Sequence, residues 1–266
     1  MSAPVEQHGW VISESGRENP DHRVLLLPGA LATPAFYDDL LAEPAVRDAS
    51  IRFVATTLPG FGGTPAPEDV TMDSYASTAA AIAAERRCDA VVGHSLGANV
   101  AIEMALRGEF SGPIVLISPS FSRTDESKFP RVLDRLAGVF GHLPYALMLK
   151  IIGPAMKSSL PEHRRDALIG ELKKNDPRFL RRQTHAYLTY LDGRGSLAPG
   201  LCDSGVPAWV VFGDHDDIGL TDDERGLLEK CSSVRLSTIA DAGHFTLNEK
   251  PGRIAEILLD ALANGR

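Results

Sequence analysis

Three groups of residues in this 266-residue chain could do chemistry together: a serine between two glycines, a histidine just after a glycine, and a cluster of aspartates at the end of an apolar run. The serine lies in Gly93-His94-Ser95-Leu96-Gly97. A serine hydroxyl attacks poorly until a base takes its proton, and the base needs a third group to fix its tautomer. Ser95 has glycine two residues before and two after it, the bare pattern that a sharp strand-to-helix turn requires. Val91-Val92 precedes the turn, and Ala98 to Leu106 combine strong helix formers with apolar residues at helical spacing. The pattern predicts a strand, a tight turn and a helix with Ser95 at the apex. The Leu96 N–H then stands at a helix start, where unpaired donors face an anion. An ordinary glycine-rich turn is the plain alternative, and the elements on either side weigh against it.

Ligands of open α/β sheets lie beyond the carboxyl ends of the strands, so histidines and acids directly after apolar runs come first. His244 follows Gly243, just past the run Val234 to Ile239, and is the preferred base. His215 sits among three acids, and His94 adjoins the serine, so its side chain must leave the turn in another direction. Gly213-Asp214-His215-Asp216-Asp217 follows the run Ala208 to Phe212. Sequence alone leaves open which of Asp214, Asp216 and Asp217 faces the imidazole. A metal site of Asp214, His215 and Asp216 is a second chemical reading, disfavoured because no further ligand cluster lies at a matching spacing.

The positioning elements alternate along the chain. Apolar runs at 8–15, 24–27, 51–55, 88–93, 113–118, 208–212 and 234–239 read as strands, most of them buried on both faces as parallel strands are. Helices are predicted at Phe36–Ala42, from Asp73 to about Arg87 with Asp73-Ser74-Tyr75 as cap, after the serine, at Asp222–Lys230 and at Pro251–Leu262. Leu58 to Pro65 is too rich in Gly and Pro to be anything but loop. Residues 122–205 are charged, Pro-interrupted and without a strand candidate, with helices expected at Leu133–Phe140, Tyr145–Ile152, Glu162–Lys174 and Pro177–Leu191. Since 1–121 and 206–266 are both needed to complete one sheet, this block reads as a helical cap on a doubly wound core rather than an independent domain.

Composition narrows the partners. Hydrophobic residues at 44% and charged residues at 23% fit an ordinary globular protein, and a net charge of −8 argues against nucleic acid. Cys88, Cys202 and Cys231 match no disulfide framework and are expected as buried free thiols. Met1 to Gln7 has neither a basic stretch nor an apolar run, so no secretory leader is expected. With no apolar run of about 18–20 residues in the sequence, a cytoplasmic protein without a membrane partner is expected.

Taken in order, Leu25-Leu26-Leu27-Pro28-Gly29, Leu58-Pro59-Gly60-Phe61-Gly62, Gly93-His94-Ser95-Leu96-Gly97, Gly213-Asp214-His215-Asp216 and Gly243-His244 resemble the α/β-hydrolase superfamily, in particular its cap-bearing bacterial carboxylesterases. The resemblance implies a mostly parallel, doubly wound α/β sheet with the cap inserted after the sixth strand, and no cofactor. It implies Asp216 as the acid, with Asp214 and Asp217 as alternatives. It also implies a second oxyanion donor at the N–H of Ala30, or else of Leu31. One departure stands out: the family usually has His-Gly where this chain has Pro28-Gly29, and proline lacks the hydrogen bonds a histidine would make.

The expected activity is cleavage of a carboxylic ester of a small or medium apolar molecule by Ser95, Asp216 and His244 through an acyl-enzyme. Thioesters, lactones and carbon–carbon bonds beside a ketone use the same triad on this fold, and a binding protein without turnover is the alternative of another class. A serine argues against dehalogenase and epoxide hydrolase chemistry, which in this family needs aspartate there. Leu31, His94, Phe140, Tyr145, Tyr187 and Phe245 are candidate substrate contacts. The cap aromatics and Met148, Met156 and Tyr190 could equally pack the cap on the sheet, and Arg123, Lys128, Arg131 and Arg135 could meet an anionic substrate or form a solvated face.

Overall fold

Short β-branched and leucine runs become the strands of one eight-stranded sheet in the computed structural model, which describes residues 3–156 and 159–265. These are β1 (Val5–Gln7), β2 (Trp10–Gly16), β3 (His22–Leu27), β4 (Ile51–Thr57), β5 (Ala90–His94), β6 (Ile114–Ile117), β7 (Ala208–Gly213) and β8 (Val234–Ile239). Their order across the sheet is β1-β2-β4-β3-β5-β6-β7-β8. Pairing is antiparallel from β1 through β2 to β4 and parallel from β4 to β8. The loops that follow β3, β5, β7 and β8 therefore all leave from one edge.

Alternate residues of each parallel strand enter opposite cores. Leu25, Leu27, Val91 and Val210 pack with the helices Met72–Glu85 and Leu96–Leu106, and Val24, Leu26, Val92 and Val211 pack toward Pro251–Asn264. Both faces being covered explains why these strands read as continuous apolar runs.

Several elements differ from the sequence expectation. The first run, 8–15, is strand only from Trp10, and the unexpected β1 precedes it. The two pair as a hairpin around His8 and Gly9, both at positive φ, the two-residue turn that matches strand twist. Thr71, not Asp73, caps the helix Met72–Glu85 by accepting from the Ser74 N–H, and Asp73 sits in the first turn. Pro34–Tyr37 forms a 3-10 turn before the α-helix Asp38–Ala42. The cysteines are free thiols, but half-buried rather than buried.

Between β6 and β7 lie Lys128–Phe140, Leu143–Ala155, Arg165–Leu172, Pro177–Arg194 and a further short helix, Ala198–Ser204. The first starts earlier than expected because Pro130 falls in its first turn, where the missing N–H would have had no partner. The insertion is tied at its neck by Leu197 N–H to the Phe121 carbonyl, 2.8 Å. Over the core, Tyr187 donates to Asn99 at 3.2 Å and Tyr190 to Glu103 at 2.7 Å. Among the described residues no helix is long and apolar enough to cross a membrane.

Glycine requirements follow from the geometry. A Cβ on Gly97 would stand 2.1 Å from the Leu27 carbonyl oxygen, whereas one on Gly138, within Lys128–Phe140, would meet open space. Gly97→Ala should cost at least about 2–3 kcal/mol in urea denaturation, and Gly138→Ala should gain up to about 1 kcal/mol. Equal behaviour of the two variants would contradict the close approach of helix to β3.

Candidate active site

The turn after β5 carries Ser95 at φ 51°, ψ −119°, a conformation that non-glycine residues rarely hold. It persists because the surroundings over-determine it. The Ser95 N–H is fixed to the Ile117 carbonyl at 2.8 Å, and the first helical N–H groups, at Ala98 and Asn99, return to the Ser95 carbonyl. A Cβ on Gly93 would lie 2.4 Å from the Gly97 carbonyl oxygen, so no larger residue fits beneath the turn.

The loops after β7 and β8 bring an acid to a histidine. His244 Nδ1 lies 3.0 Å from Asp216 Oδ1. Asp216, buried at its side chain, also accepts from Ser118 Oγ at 2.5 Å and from the Ile218 N–H at 3.0 Å. Burial works to raise the Asp216 carboxyl, but the His244 bond and charge, then Ser118 and Ile218, hold it below the usual carboxylate range. Burial likewise works against a charged His244. The bond and charge of Asp216, with Glu126 and Asp217 beyond it, outweigh burial and raise the imidazole above its ordinary value. Asp216 thus fixes Nδ1 as the protonated nitrogen and leaves Nε2 as the acceptor.

Asp214 turns elsewhere, to the Ala242 N–H at 3.2 Å. Asp214, His215 and Asp216 therefore do not converge, and among the described residues no group of three or more His, Cys, Asp and Glu could hold a metal ion.

The loop after β3 runs beside the serine. A Cβ on Gly29 would lie 3.2 Å from Ser95 Cβ and 3.0 Å from His94 Nδ1. Leu31 follows at φ 65°, its carbonyl held by Asn175 Nδ2 at 2.9 Å. Among the described residues neither the Ala30 nor the Leu96 N–H meets an acceptor, so both remain able to donate.

The remaining sequence candidates divide. Phe245 meets the His244 ring edge to face, 5.5 Å between centroids, and the Tyr187 hydroxyl reaches Asn99 in the first turn after Ser95. His94 is corrected as a substrate contact: it is 2% exposed, and its Nε2 lies 2.9 Å from the His244 carbonyl, which it serves as donor. Burial, then the neighbouring His244, lower it to about 3, so it is neutral and steadies the His244 loop. Phe140 is also corrected, since it lies exposed in a groove between the first two helices of the insertion. Tyr145 is buried in the packing of the insertion and has no free face.

Two residues with a bearing on the site escaped the sequence reading. Ser118, at φ 53° after β6, holds Asp216; its one local signal was a hydroxyl at a strand end. Asn175, buried in the insertion, donates to Leu31 and accepts from the Gly62 N–H at 3.1 Å, joining the loops after β3 and β4. Its contacts are too distant in sequence to have been read.

A family model described as an alpha/beta hydrolase family matches residues 24–257. The chain belongs to the α/β-hydrolase family. No curated protein matches this hydrolase in sequence. Among solved structures, the hydrolase is similar to an esterase from Exiguobacterium antarcticum, with TM-score 0.78, 15% identity and coverage of 99% of this chain and 100% of that one. A carboxylesterase from the thaumarchaeon Nitrososphaera gargenis gives 0.73, 18%, 98% and 98%. A mutant N-acyl homoserine lactonase complexed with N-hexanoyl homoserine gives 0.73, 19%, 99% and 96%. At these identities the likeness speaks to the fold of the hydrolase.

In an NMR titration the His244 ring of the hydrolase should change protonation above pH 6.5, and in Asp216→Asn clearly lower, as burial loses its main opponent. An unchanged midpoint in the variant would contradict the electrostatic account.

Proposed function

We propose that this α/β-hydrolase is a serine esterase acting on carboxylic esters of small or medium apolar molecules. The observation that carries the proposal is the strained turn at Ser95 facing a loop edge where a buried Asp216 orients His244 at 3.0 Å. In this reading His244 Nε2 takes the Ser95 proton as Oγ attacks the ester carbonyl carbon. The N–H groups of Leu96 and Ala30 stabilise the tetrahedral oxyanion, and Asp216 offsets the imidazolium charge. The oxyanion collapses, the C–O bond to the alcohol breaks, and His244 protonates the departing oxygen. Water, deprotonated by His244, then attacks the acyl-enzyme; the bond from the acyl carbon to Oγ breaks, and His244 returns the proton to Ser95 Oγ as the acid leaves.

Proline at position 28 is compatible with this scheme, because the donors are backbone groups and the close approach is made at Gly29. Support for an apolar acyl or alcohol group comes from Phe245 beside His244 and from Leu31, half-buried two residues past the Gly29 that approaches Ser95. A second reading, a lactonase, needs the same steps on a cyclic ester, chemistry that the similar lactonase structure is named for on the same fold.

Initial rates on p-nitrophenyl esters of rising acyl length, with lactones and thioesters alongside, test the proposal. Open-chain esters should turn over best, and Ser95→Ala should lose at least about a thousandfold in kcat. Turnover retained by Ser95→Ala would refute the assignment, and a preference for lactones would select the second reading.

A further inference from the structure

The first two helices of the insertion, Lys128–Phe140 and Leu143–Ala155, pair as a hairpin that leaves one apolar side uncovered. Phe129, Val132 and Val139 on the first, and Leu143, Leu147 and Ile151 on the second, are each more than half exposed. Between the helices runs a groove of about 450 Å³, floored by Leu133 and Met148 and lined by apolar side chains throughout. A contiguous apolar face of this kind marks an interaction surface, whereas single exposed apolar residues do not.

Charge indicates what covers it. Residues 128–155 carry Lys128, Arg131, Arg135 and Lys150 against the single acid Asp134, in a chain of net charge −8. On the first helix Lys128, Arg131 and Arg135 recur at helical spacing along the border of the face marked by Val132 and Val139. Lys150 borders it on the second, one turn from Leu147. Ion pairs of the insertion engage Arg123, His163, Arg164, Lys174, His185 and Arg194, and none of these four cations among the described residues. Asp134 is itself taken by His185 at 3.1 Å.

A second copy of the chain fits this pattern poorly. A two-fold contact sets the same patch against itself and would bring the cationic border onto its own image. An anionic lipid surface satisfies both features: the apolar side chains enter the boundary between headgroups and acyl chains, and the cations meet lipid phosphates. We propose that this hairpin docks the hydrolase on an anionic lipid surface. Such docking needs no spanning segment, so the lack of a membrane-crossing helix does not bear on it.

Flotation of the purified chain with phosphatidylcholine vesicles, with and without about one-third phosphatidylglycerol, is the test. The wild type should float with the anionic vesicles only, and less as salt rises. Arg131→Ser/Arg135→Ser should weaken partitioning on the order of 25-fold, from about fivefold per cation. Val139→Glu/Leu147→Glu should abolish it, both variants keeping the wild-type circular dichroism spectrum and melting transition. A wild type that stays off anionic vesicles, or variants that bind as it does, would overturn the proposal. So would light scattering that shows a wild-type dimer which Val139→Glu/Leu147→Glu splits, since a second copy would then cover the face.

Discussion

The approach of the helix Leu96–Leu106 to the end of β3, with Gly97 against the Leu27 carbonyl, is the contact on which the site depends. It forces the turn at Ser95 into its positive-φ conformation and sets the loop after β3 beside the serine. Everything that contact needs is built around it. Tyr37 donates to the Leu27 carbonyl at 2.8 Å from the opposite core, and Thr56 on the neighbouring β4 donates to that of Leu26 at 2.9 Å, so that β3 is anchored. A second close approach, Gly213 against the Ala242 carbonyl, draws the loops after β7 and β8 together in the same way. Both contacts are backbone on backbone, so they tolerate no side chain and fix the geometry more tightly than apolar packing alone would.

The charges follow from that frame. Asp216 is buried yet stays ionised because three donors converge on it, and an ionised Asp216 is what lifts His244 against its own burial. His94, a few ångströms away and deprived of any carboxylate bond, goes the other way and stays neutral. Two histidines 5.0 Å apart thus receive opposite treatment from one environment. The difference is a single hydrogen-bonded aspartate, which raises one imidazole while burial lowers the other.

What could be read from the sequence was local. The glycines around Ser95, the apolar runs and the position of His244 one loop past a strand all carry their signals within ten residues, and the alternation of strands and helices yields the sheet. Among Asp214, Asp216 and Asp217 the residue types alone do not choose, since rotation within the loop decides which carboxylate meets His244. Asp216 comes from the resemblance to the family, as the last residue of Gly213-Asp214-His215-Asp216. Ser118 and Asn175 act across the fold, 98 and 144 residues from their partners Asp216 and Leu31, and periodicity is blind to such pairs. The insertion shows the same limit from the other side. Its first helix is plainly amphipathic, but the sequence does not say how much of the apolar arc the rest of the protein covers. Leu133 and Ala137 turned inward and Phe140 did not.

Ser95 as the attacking group is the premise of the proposed chemistry, and covalent labelling reads it directly. After treatment with a fluorophosphonate, intact-mass spectrometry and peptide mapping of the folded protein should find one adduct, on Ser95, and none on Ser95→Ala. A folded wild type that takes no label, or an adduct that persists in Ser95→Ala, would contradict it.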